Sequence, residues 1–179
     1  MFLNIITPCS RPQNLETISK SINIPRDQYR WIVVFDLLEK PENIPDNCEW
    51  YNIKDANSKS GNAQRNFALN LITHGHIYFN DDDTIVHPNL WKNIKDVDAD
   101  FISFKQSTPS GELRLDGRSI TLNNIDSHNF VMDSSLLGNS RWVLDRYDAD
   151  GVFANECWLK SKNYKYIDEV LSIYNVLRK

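Results

Sequence analysis

Long apolar runs are absent from this sequence, and so are the basic residues that open a signal peptide. No stretch approaches the roughly 20 apolar residues that a membrane-spanning helix needs. Residues 1–6 are mostly apolar but are soon followed by Pro8 and Arg11, which is typical of a first strand rather than a leader. We therefore expect no integral membrane segment.

Cysteine is also scarce. The three cysteines, Cys9, Cys48 and Cys157, are odd in number and far apart in the chain. Their spacing matches neither a zinc site nor a disulfide framework, which favours a reducing compartment. We therefore expect a cytoplasmic protein.

The sequence has no excess of basic residues. Its formal net charge is −4, so the chain is a poor electrostatic partner for nucleic acid, and we expect none. Phosphate groups would have to be bound locally, by a metal ion, a helix N-terminus or a few arginines. Because 41 % of the 179 residues are hydrophobic, the composition excludes disorder and favours one globular domain over residues 1–179.

Strand-like and helical patterns alternate through the first part of the chain. Segment 31–35 is a continuous apolar run, which is typical of a strand buried on both faces of a sheet. The alternation predicts an α/β fold with a mainly parallel central sheet flanked by helices. The predicted strands are 2–7, 31–35, 50–53, 77–79 and 101–104, and the predicted helices begin near Pro12, Gly61 and Pro88.

In the first part of the chain, Gly75 is predicted to cap the helix that follows Gly61.

The remaining residues, 105–179, follow a less regular pattern. The elements predicted after residue 104 are a hairpin over 113–122 with its turn at Asp116-Gly117, a strand at 129–132, a helix from Asp150-Gly151 to about Ser161 and a strand at 164–167.

Two clusters of aspartates flank predicted strands on opposite sides. In open α/β sheets, ligands bind beyond the carboxyl ends of the strands. Asp81-Asp82-Asp83 directly follows strand 77–79 and would lie at that edge, whereas Asp96, Asp98 and Asp100 precede strand 101–104. We interpret the second cluster as a solvated turn.

The first cluster, Asp81-Asp82-Asp83, is suited to a metal ion. Adjacent carboxylates repel unless a cation or proton lies between them, and their oxygens suit Mg²⁺ or Mn²⁺.

A phosphatase motif is a rival interpretation of the same residues. Haloacid dehalogenase-type phosphatases carry Asp-x-Asp-x-Thr after a strand, with the first Asp as nucleophile. Aligned on Thr84, this register places Asn80 at the nucleophile position, and Asn cannot form an aspartyl phosphate. The phosphatase interpretation is therefore rejected.

An ordered set of motifs resembles the family 2-like glycosyltransferases of the GT-A (Rossmann-like) fold, in which a "DxD" motif follows such a strand and an "RN-x-A" helix precedes it. The resemblance covers residues 2–104 and continues more loosely beyond them. Its motifs are Thr7-Pro8-Cys9-Ser10-Arg11, Asp36 after the second strand, Gly61-Asn62-Ala63-Gln64-Arg65-Asn66-Phe67-Ala68-Leu69, and Phe79-Asn80-Asp81-Asp82-Asp83.

The resemblance implies a role for each matching residue. Asp81 and Asp83 would bind Mn²⁺ or Mg²⁺, and Asp36 would contact the nucleoside. The residues implied in binding a nucleotide-sugar donor are Thr7, Arg11, Asp36, Arg65 and Asp82. For Arg65 a surface helix cation is the competing interpretation, and for Asp36 an acid that caps a turn.

The second half of the chain would supply the acceptor chemistry. Transfer with inversion needs a base for the acceptor hydroxyl. Asp150 matches the family position of that base, with Asp148 as the alternative and a helix N-cap as the structural interpretation of Asp150. His128, after Asp126, is expected to be a polar loop residue, and a contact of His128 or Asp126 with the metal or a sugar is the alternative. Trp142 is expected in the core rather than against a sugar.

These implications amount to a metal-dependent, inverting glycosyltransferase. Residues 1–104 would form the nucleotide-sugar-binding half and residues 105–179 the half that binds a glycan, protein or small-molecule acceptor. A nucleotidyltransferase remains an alternative, although segment 7–12 lacks the glycine- and lysine-rich phosphate loop it would need. A non-catalytic nucleotide-sugar or carbohydrate binding module is the other alternative.

Overall fold

The computed structural model describes residues 1–37, 41–54 and 58–178. Short 3₁₀ turns occur at Pro12–Asn14, Arg26–Gln28 and Ser134–Leu136. The helices are α1 (Leu15–Ser21), α2 (Asn62–Leu69), α3 (Leu90–Ile94) and α4 (Ala149–Trp158). The strands are β1 (Leu3–Cys9), β2 (Tyr29–Phe35), β3 (Glu49–Asn52), β4 (His76–Phe79), β5 (Phe101–Ser107), β6 (Leu113–Leu115), β7 (Phe130–Asp133) and β8 (Tyr164–Ile173).

All these strands belong to one eight-stranded sheet. Its order is β3-β2-β1-β4-β7-β5-β6, and β8 pairs with β5. The pairs β1·β2, β1·β4, β2·β3 and β5·β8 are parallel, whereas β7 pairs antiparallel with both β4 and β5, and β6 pairs antiparallel with β5. The predicted α/β fold with a mainly parallel central sheet is confirmed.

The sequence does not predict where β7 lies in the sheet. β7 inserts between β4 and β5, so the parallel order is interrupted by a buried strand from later in the chain. The predicted hairpin over 113–122 is wrong, because only Leu113–Leu115 forms a strand and its partner is β5. The tight turn lies earlier, where the N–H of Thr108 donates to Glu112 O at 2.8 Å and Gly111 has φ of +88°.

The second helix also ends earlier than predicted. α2 finishes at Leu69, so Gly75 does not cap it. Gly75 instead has φ of +85° in the turn before β4, where an added Cβ would lie 2.8 Å from Phe2 O. The turn therefore needs glycine both for its backbone conformation and for the close approach of β1.

The core has two layers, one on each face of the sheet. β2 alternates between them, as its apolar pattern predicts: Trp31, Val33 and Phe35 pack on one side and Ile32 and Val34 on the other. The first layer holds the buried residues of α1 and α3, and the second those of α2 and α4. No helix among the described residues is both long and apolar enough to cross a membrane.

The aspartates before β5 lie at the edge where the parallel strands begin. The Asp96 side chain is 85 % exposed. The carboxylate of Asp100 accepts hydrogen bonds from the N–H groups of Lys162 (2.8 Å) and Asn163 (3.2 Å), so it organises the turn between α4 and β8.

Candidate functional site

A cavity of about 440 Å³ opens beyond the carboxyl ends of β1, β2 and β4. Seven of the eight residues proposed from the sequence line it: Arg11, Asp36, Arg65, Asp81, Asp82, Asp83 and Asp150. Thr7 does not. It is fully buried within β1, and its hydroxyl accepts a hydrogen bond from Trp31 Nε1 at 2.9 Å. Pro8, Ser10 and Arg11 line the cavity from this part of the chain instead.

Asp81 is held by two basic side chains. Arg65 Nη2 forms an ion pair with Asp81 Oδ1, and His128 Nε2 lies 2.9 Å from Oδ2. Ser127 Oγ also donates to Oδ2 at 3.2 Å. Burial raises the pKa of Asp81, but the neighbouring positive charges outweigh it and hold that pKa well below its ordinary value. Asp81 is therefore ionised at neutral pH, and Arg65 and His128 balance its charge.

His128 is a buried cation rather than the polar loop residue that we expected. It is 1 % exposed, and its Nδ1 lies 3.5 Å from Asp126 Oδ1 while its Nε2 faces Asp81. Burial lowers the pKa of His128, but the charges of the two carboxylates have the larger, opposite effect and raise that pKa to about 9. At neutral pH the side chain is therefore protonated and joins the two aspartates.

Asp82 directs its carboxylate toward the loop that follows β1. Oδ2 accepts hydrogen bonds from the N–H groups of Ser10 (2.6 Å) and Arg11 (2.7 Å), and Oδ1 pairs with Arg11 Nη1 at 2.6 Å. Asn14 Nδ2 donates to the Asp82 carbonyl at 2.8 Å. The middle aspartate thus joins the β1 loop to the β4 loop and shapes the cavity wall.

Asp83 is the aspartate of the three with the weakest contacts to cations. Arg11 Nη1 lies 3.6 Å from its Oδ2, beyond hydrogen-bond range. Burial and the charge of Asp81 raise the pKa of Asp83. The chain's C-terminal residues cross this loop, because Leu177 N–H donates to the Asp83 carbonyl at 2.7 Å. A further cation beside Asp83 would favour its ionised form.

Arg65 reaches the cavity from α2 and is buried, so it is not a surface helix cation. Its guanidinium lies over the ring of Trp142, 4.5 Å from the centroid. Trp142 stacks on Phe153 at 5.0 Å between ring centroids, so it belongs to the core. α2 can approach β1 closely because residue 61 is glycine: an added Cβ at Gly61 would lie 2.6 Å from Pro8 Cβ.

Asp150 is the second residue of α4, and its Oδ1 accepts the N–H of Gly151 at 2.8 Å. Burial, with the charge of Asp126, raises the pKa of Asp150 to about 6. Asp148 is the N-cap residue of α4, and both its oxygens are paired with Arg146, at 2.8 and 2.6 Å. Of the two candidate bases, only Asp150 lines the cavity.

Sequence reasoning missed Arg114 and its contacts with Asp126 and Tyr174. Arg114 Nη1 pairs with Asp126 Oδ2 at 2.8 Å, and its guanidinium lies 3.7 Å from the centre of the Tyr174 ring. All three side chains line the cavity. The misplaced hairpin hid this arrangement, because only pairing of β6 with β5 brings Arg114 to this edge.

The residues fit a divalent metal only if something else supplies most of its ligands. Among the described residues, no three His, Cys, Asp or Glu side chains are grouped so as to hold an ion. Asp81 faces Arg65 and His128, and Asp82 faces the β1 loop, which leaves Asp83 as the best placed carboxylate. Mg²⁺ is commonly bound by one or two carboxylates together with substrate phosphates, and this arrangement is compatible with that mode.

Comparisons with known proteins identify the fold. The sequence matches no protein-family model and no curated protein. The structure is similar to that of S. aureus TarS 1-349, with a TM-score of 0.75 and 16 % identity over 97 % of this chain and 60 % of that one. TarS 1-349 in complex with UDP-GlcNAc has a TM-score of 0.73 and 15 % identity, over 97 % of this chain and 58 % of that one.

A mannosyltransferase gives a comparable match. PcManGT from Pyrobaculum calidifontis, in complex with GDP-Man and Mn²⁺, has a TM-score of 0.69 and 13 % identity over 99 % of this chain and 57 % of that one. This chain therefore spans less than two thirds of the length of these proteins. The shared architecture is a mostly parallel sheet flanked by helices, and the chain has the fold of the GT-A glycosyltransferases.

Proposed function

We propose that this chain transfers a sugar from a nucleotide-sugar donor to an acceptor hydroxyl, with inversion. One observation carries the proposal: Asp83, the arginines Arg11 and Arg65, and the raised-pKa carboxyl of Asp150 all line a single cavity beyond the carboxyl ends of the strands. Two of the similar structures are complexes with UDP-GlcNAc and GDP-Man, which supports the choice of donor class.

The donor would bind in the part of the cavity lined by residues 1–104. Asp36 follows β2 and would contact the nucleoside, while Arg11 and Arg65 would lie toward the diphosphate. Both guanidiniums are fixed by aspartates, so their charge is preorganised rather than mobile. Residues 105–179 would form the acceptor half.

Asp83 would hold Mn²⁺ or Mg²⁺ together with the donor diphosphate, with Asp81 as the nearby second carboxylate. When bound, the metal would supply Lewis-acid stabilisation of the charge that develops on the departing phosphate. The presence of Mn²⁺ with GDP-Man in PcManGT supports this proposal. The chain's own part is to bring Asp83, in the loop after β4, to within 3.6 Å of Arg11, in the loop after β1.

Asp150 would remove the proton from the acceptor hydroxyl. A pKa of about 6 leaves it mostly ionised at neutral pH and makes it a stronger base than an ordinary aspartate. A base on the acceptor side is what an inverting, single-displacement transfer needs. Asp148 is less suited, because both its oxygens are engaged by Arg146 outside the cavity.

The two alternatives fit the cavity less well. A nucleotidyltransferase would need a cationic phosphate loop after β1, but here Asp82 occupies the N–H groups of Ser10 and Arg11. A binding module would not need a carboxyl group whose pKa is raised, as that of Asp150 is. Incubation with UDP-GlcNAc or GDP-Man, with and without Mn²⁺, tests the proposal, because release of UDP or GDP supports transfer. Formation of UTP or GTP together with a sugar 1-phosphate when pyrophosphate is added supports the nucleotidyltransferase.

A further inference from the structure

One aromatic side chain of the cavity is exposed to solvent. Tyr147 is 77 % exposed although it lines the cavity, and it lies three residues before Asp150. Tyrosine combines a flat apolar ring with a polar hydroxyl and is enriched at interfaces, and aromatic side chains commonly line ligand pockets. Neither the proposed donor contacts nor the proposed base uses this ring.

The other two ring faces in the cavity wall are already covered. Trp142 is 3 % exposed, with Arg65 over its ring and Phe153 stacked against it. Tyr174 carries the guanidinium of Arg114 at 3.7 Å from its ring centre. Tyr147 is therefore the ring that a ligand in this cavity can stack on.

The backbone that carries Tyr147 is firmly held. Asn66 bonds both the N–H and the carbonyl of Trp142, each at 2.8 Å. Asn62 Nδ2 donates to the carbonyls of Val143 at 2.8 Å and Arg146 at 2.9 Å. The residue is thus exposed on an anchored segment, which reduces the entropy cost of binding a ligand against its ring.

We propose that Tyr147 is the platform on which the pyranose ring of a carbohydrate acceptor stacks, next to the base Asp150. The inference rests on the proposed function and names its acceptor class. A pyranose presents one C–H face and a rim of hydroxyls, so it suits a flat aromatic face beside carboxylates. The position also favours the acceptor over the donor base, because Tyr147 lies two residues before the first residue of the helix of Asp150, whereas Asp36, the proposed nucleoside contact, follows β2.

The test uses the full chain with Tyr147→Ala, Tyr147→Phe and Tyr147→Trp. Leu159→Ala, which changes a 70 % exposed residue just after α4 and outside the cavity wall, is the matched control. The probes are a panel of methyl pyranosides, whose binding is measured by ligand-observed NMR with UDP and Mn²⁺ present. Donor affinity and slow hydrolysis of UDP-GlcNAc and GDP-Man are measured in parallel.

The expected result is that the wild type binds at least one methyl pyranoside and that Tyr147→Ala weakens this binding by about tenfold. Tyr147→Phe, Tyr147→Trp and Leu159→Ala should stay within about threefold of the wild type, and donor affinity should be unchanged in all four variants. Loss of UDP or GDP affinity in Tyr147→Ala would overturn the proposal, because the ring would then serve the donor base.

Two further outcomes separate this inference from the function on which it rests. If the wild type hydrolyses a donor but binds no methyl pyranoside, the acceptor platform is wrong and the proposed function stands. If the wild type neither binds nor hydrolyses any nucleotide-sugar, the proposed function fails and the platform fails with it.

Discussion

The carboxylate of Asp82 accepts a hydrogen bond from the backbone N–H of Ser10 at 2.6 Å, which ties the loop after β4 to the loop after β1. Strand pairing alone would leave these two loops independent. The same carboxylate receives Arg11 N–H and Arg11 Nη1, so one buried side chain fixes the backbone and the charge of the neighbouring loop. The middle aspartate of the triplet has a structural role.

Replacing Asp82 should therefore cost stability. Asp82→Ala removes charge-assisted hydrogen bonds and leaves the Ser10 and Arg11 donors unpaired, which we expect to lower the free energy of unfolding by about 2–4 kcal/mol. Urea denaturation measures the loss. Asp96→Ala, at an 85 % exposed side chain, should change stability by less than about 0.5 kcal/mol. An Asp82→Ala variant as stable as the wild type would contradict this structural role.

Asp83 should couple metal binding to nucleotide binding. We expect Mn²⁺ and UDP together to raise the melting temperature more than the sum of their separate effects, because each completes the other's ligand set. Asp83→Asn should remove this surplus, while Asp96→Asn should retain it. Titration calorimetry gives the same comparison. Nucleotide affinity that is identical with and without Mn²⁺ would rule out a shared metal.

Asp150 should destabilise the fold at neutral pH. Because its folded-state pKa of about 6 lies above the ordinary value of 3.8, the unfolded state loses its proton first as pH rises. The free energy of unfolding should therefore fall between about pH 4 and pH 6 through this group and stay lower above that range. Asp150→Asn should remove the effect and stabilise the protein at pH 7 by about 1–3 kcal/mol.

Denaturation of wild type and Asp150→Asn at several pH values measures this difference. Asp148→Asn is the control. The ion pair with Arg146 lowers the pKa of Asp148, so removing this charge should not stabilise the protein. If Asp150→Asn is less stable than the wild type at pH 7, the claim that burial raises the pKa of Asp150 is contradicted.

The aspartates before β5 should not matter for turnover. Asp96→Asn, Asp98→Asn and Asp100→Asn lie at the edge where the strands begin, so we expect transfer rates within about twofold of the wild type. Only Asp100→Asn should lose some stability, since its carboxylate holds the N–H groups of Lys162 and Asn163. A large loss of activity in any of the three, at unchanged stability, would overturn the assignment of the site to the opposite edge.

Local patterns account for what the sequence predicts correctly. The apolar run Trp31 to Phe35 indicates burial on both faces, and Asp81 to Asp83 follow their strand directly, so chain order alone places them at the carboxyl edge. Alternation along β1 also explains why Thr7 is buried and does not line the cavity. Thr7 shares a face of the strand with the buried Ile5 and Cys9, and on that face it accepts a hydrogen bond from Trp31.

Contacts between distant segments account for what the sequence does not predict. Phe130 to Met132 reads as a strand, but nothing local determines that it inserts antiparallel between β4 and β5. His128 belongs to no periodic pattern, so its burial follows only from the packing of segment 126–129 beside Asp81. Asp82 likewise has partners about 70 residues away, and no spacing rule distinguishes it from its neighbours.

The most direct test of the account is the rate at which UDP or GDP is released from UDP-GlcNAc or GDP-Man in the presence of Mn²⁺, with water as the acceptor of the sugar, compared between the wild type and Asp150→Asn. We predict that the wild type releases the nucleoside diphosphate and that Asp150→Asn slows release by about 10² to 10⁴ at unchanged donor affinity. Equal rates in the two proteins, or no release from any nucleotide-sugar by the wild type, would contradict it.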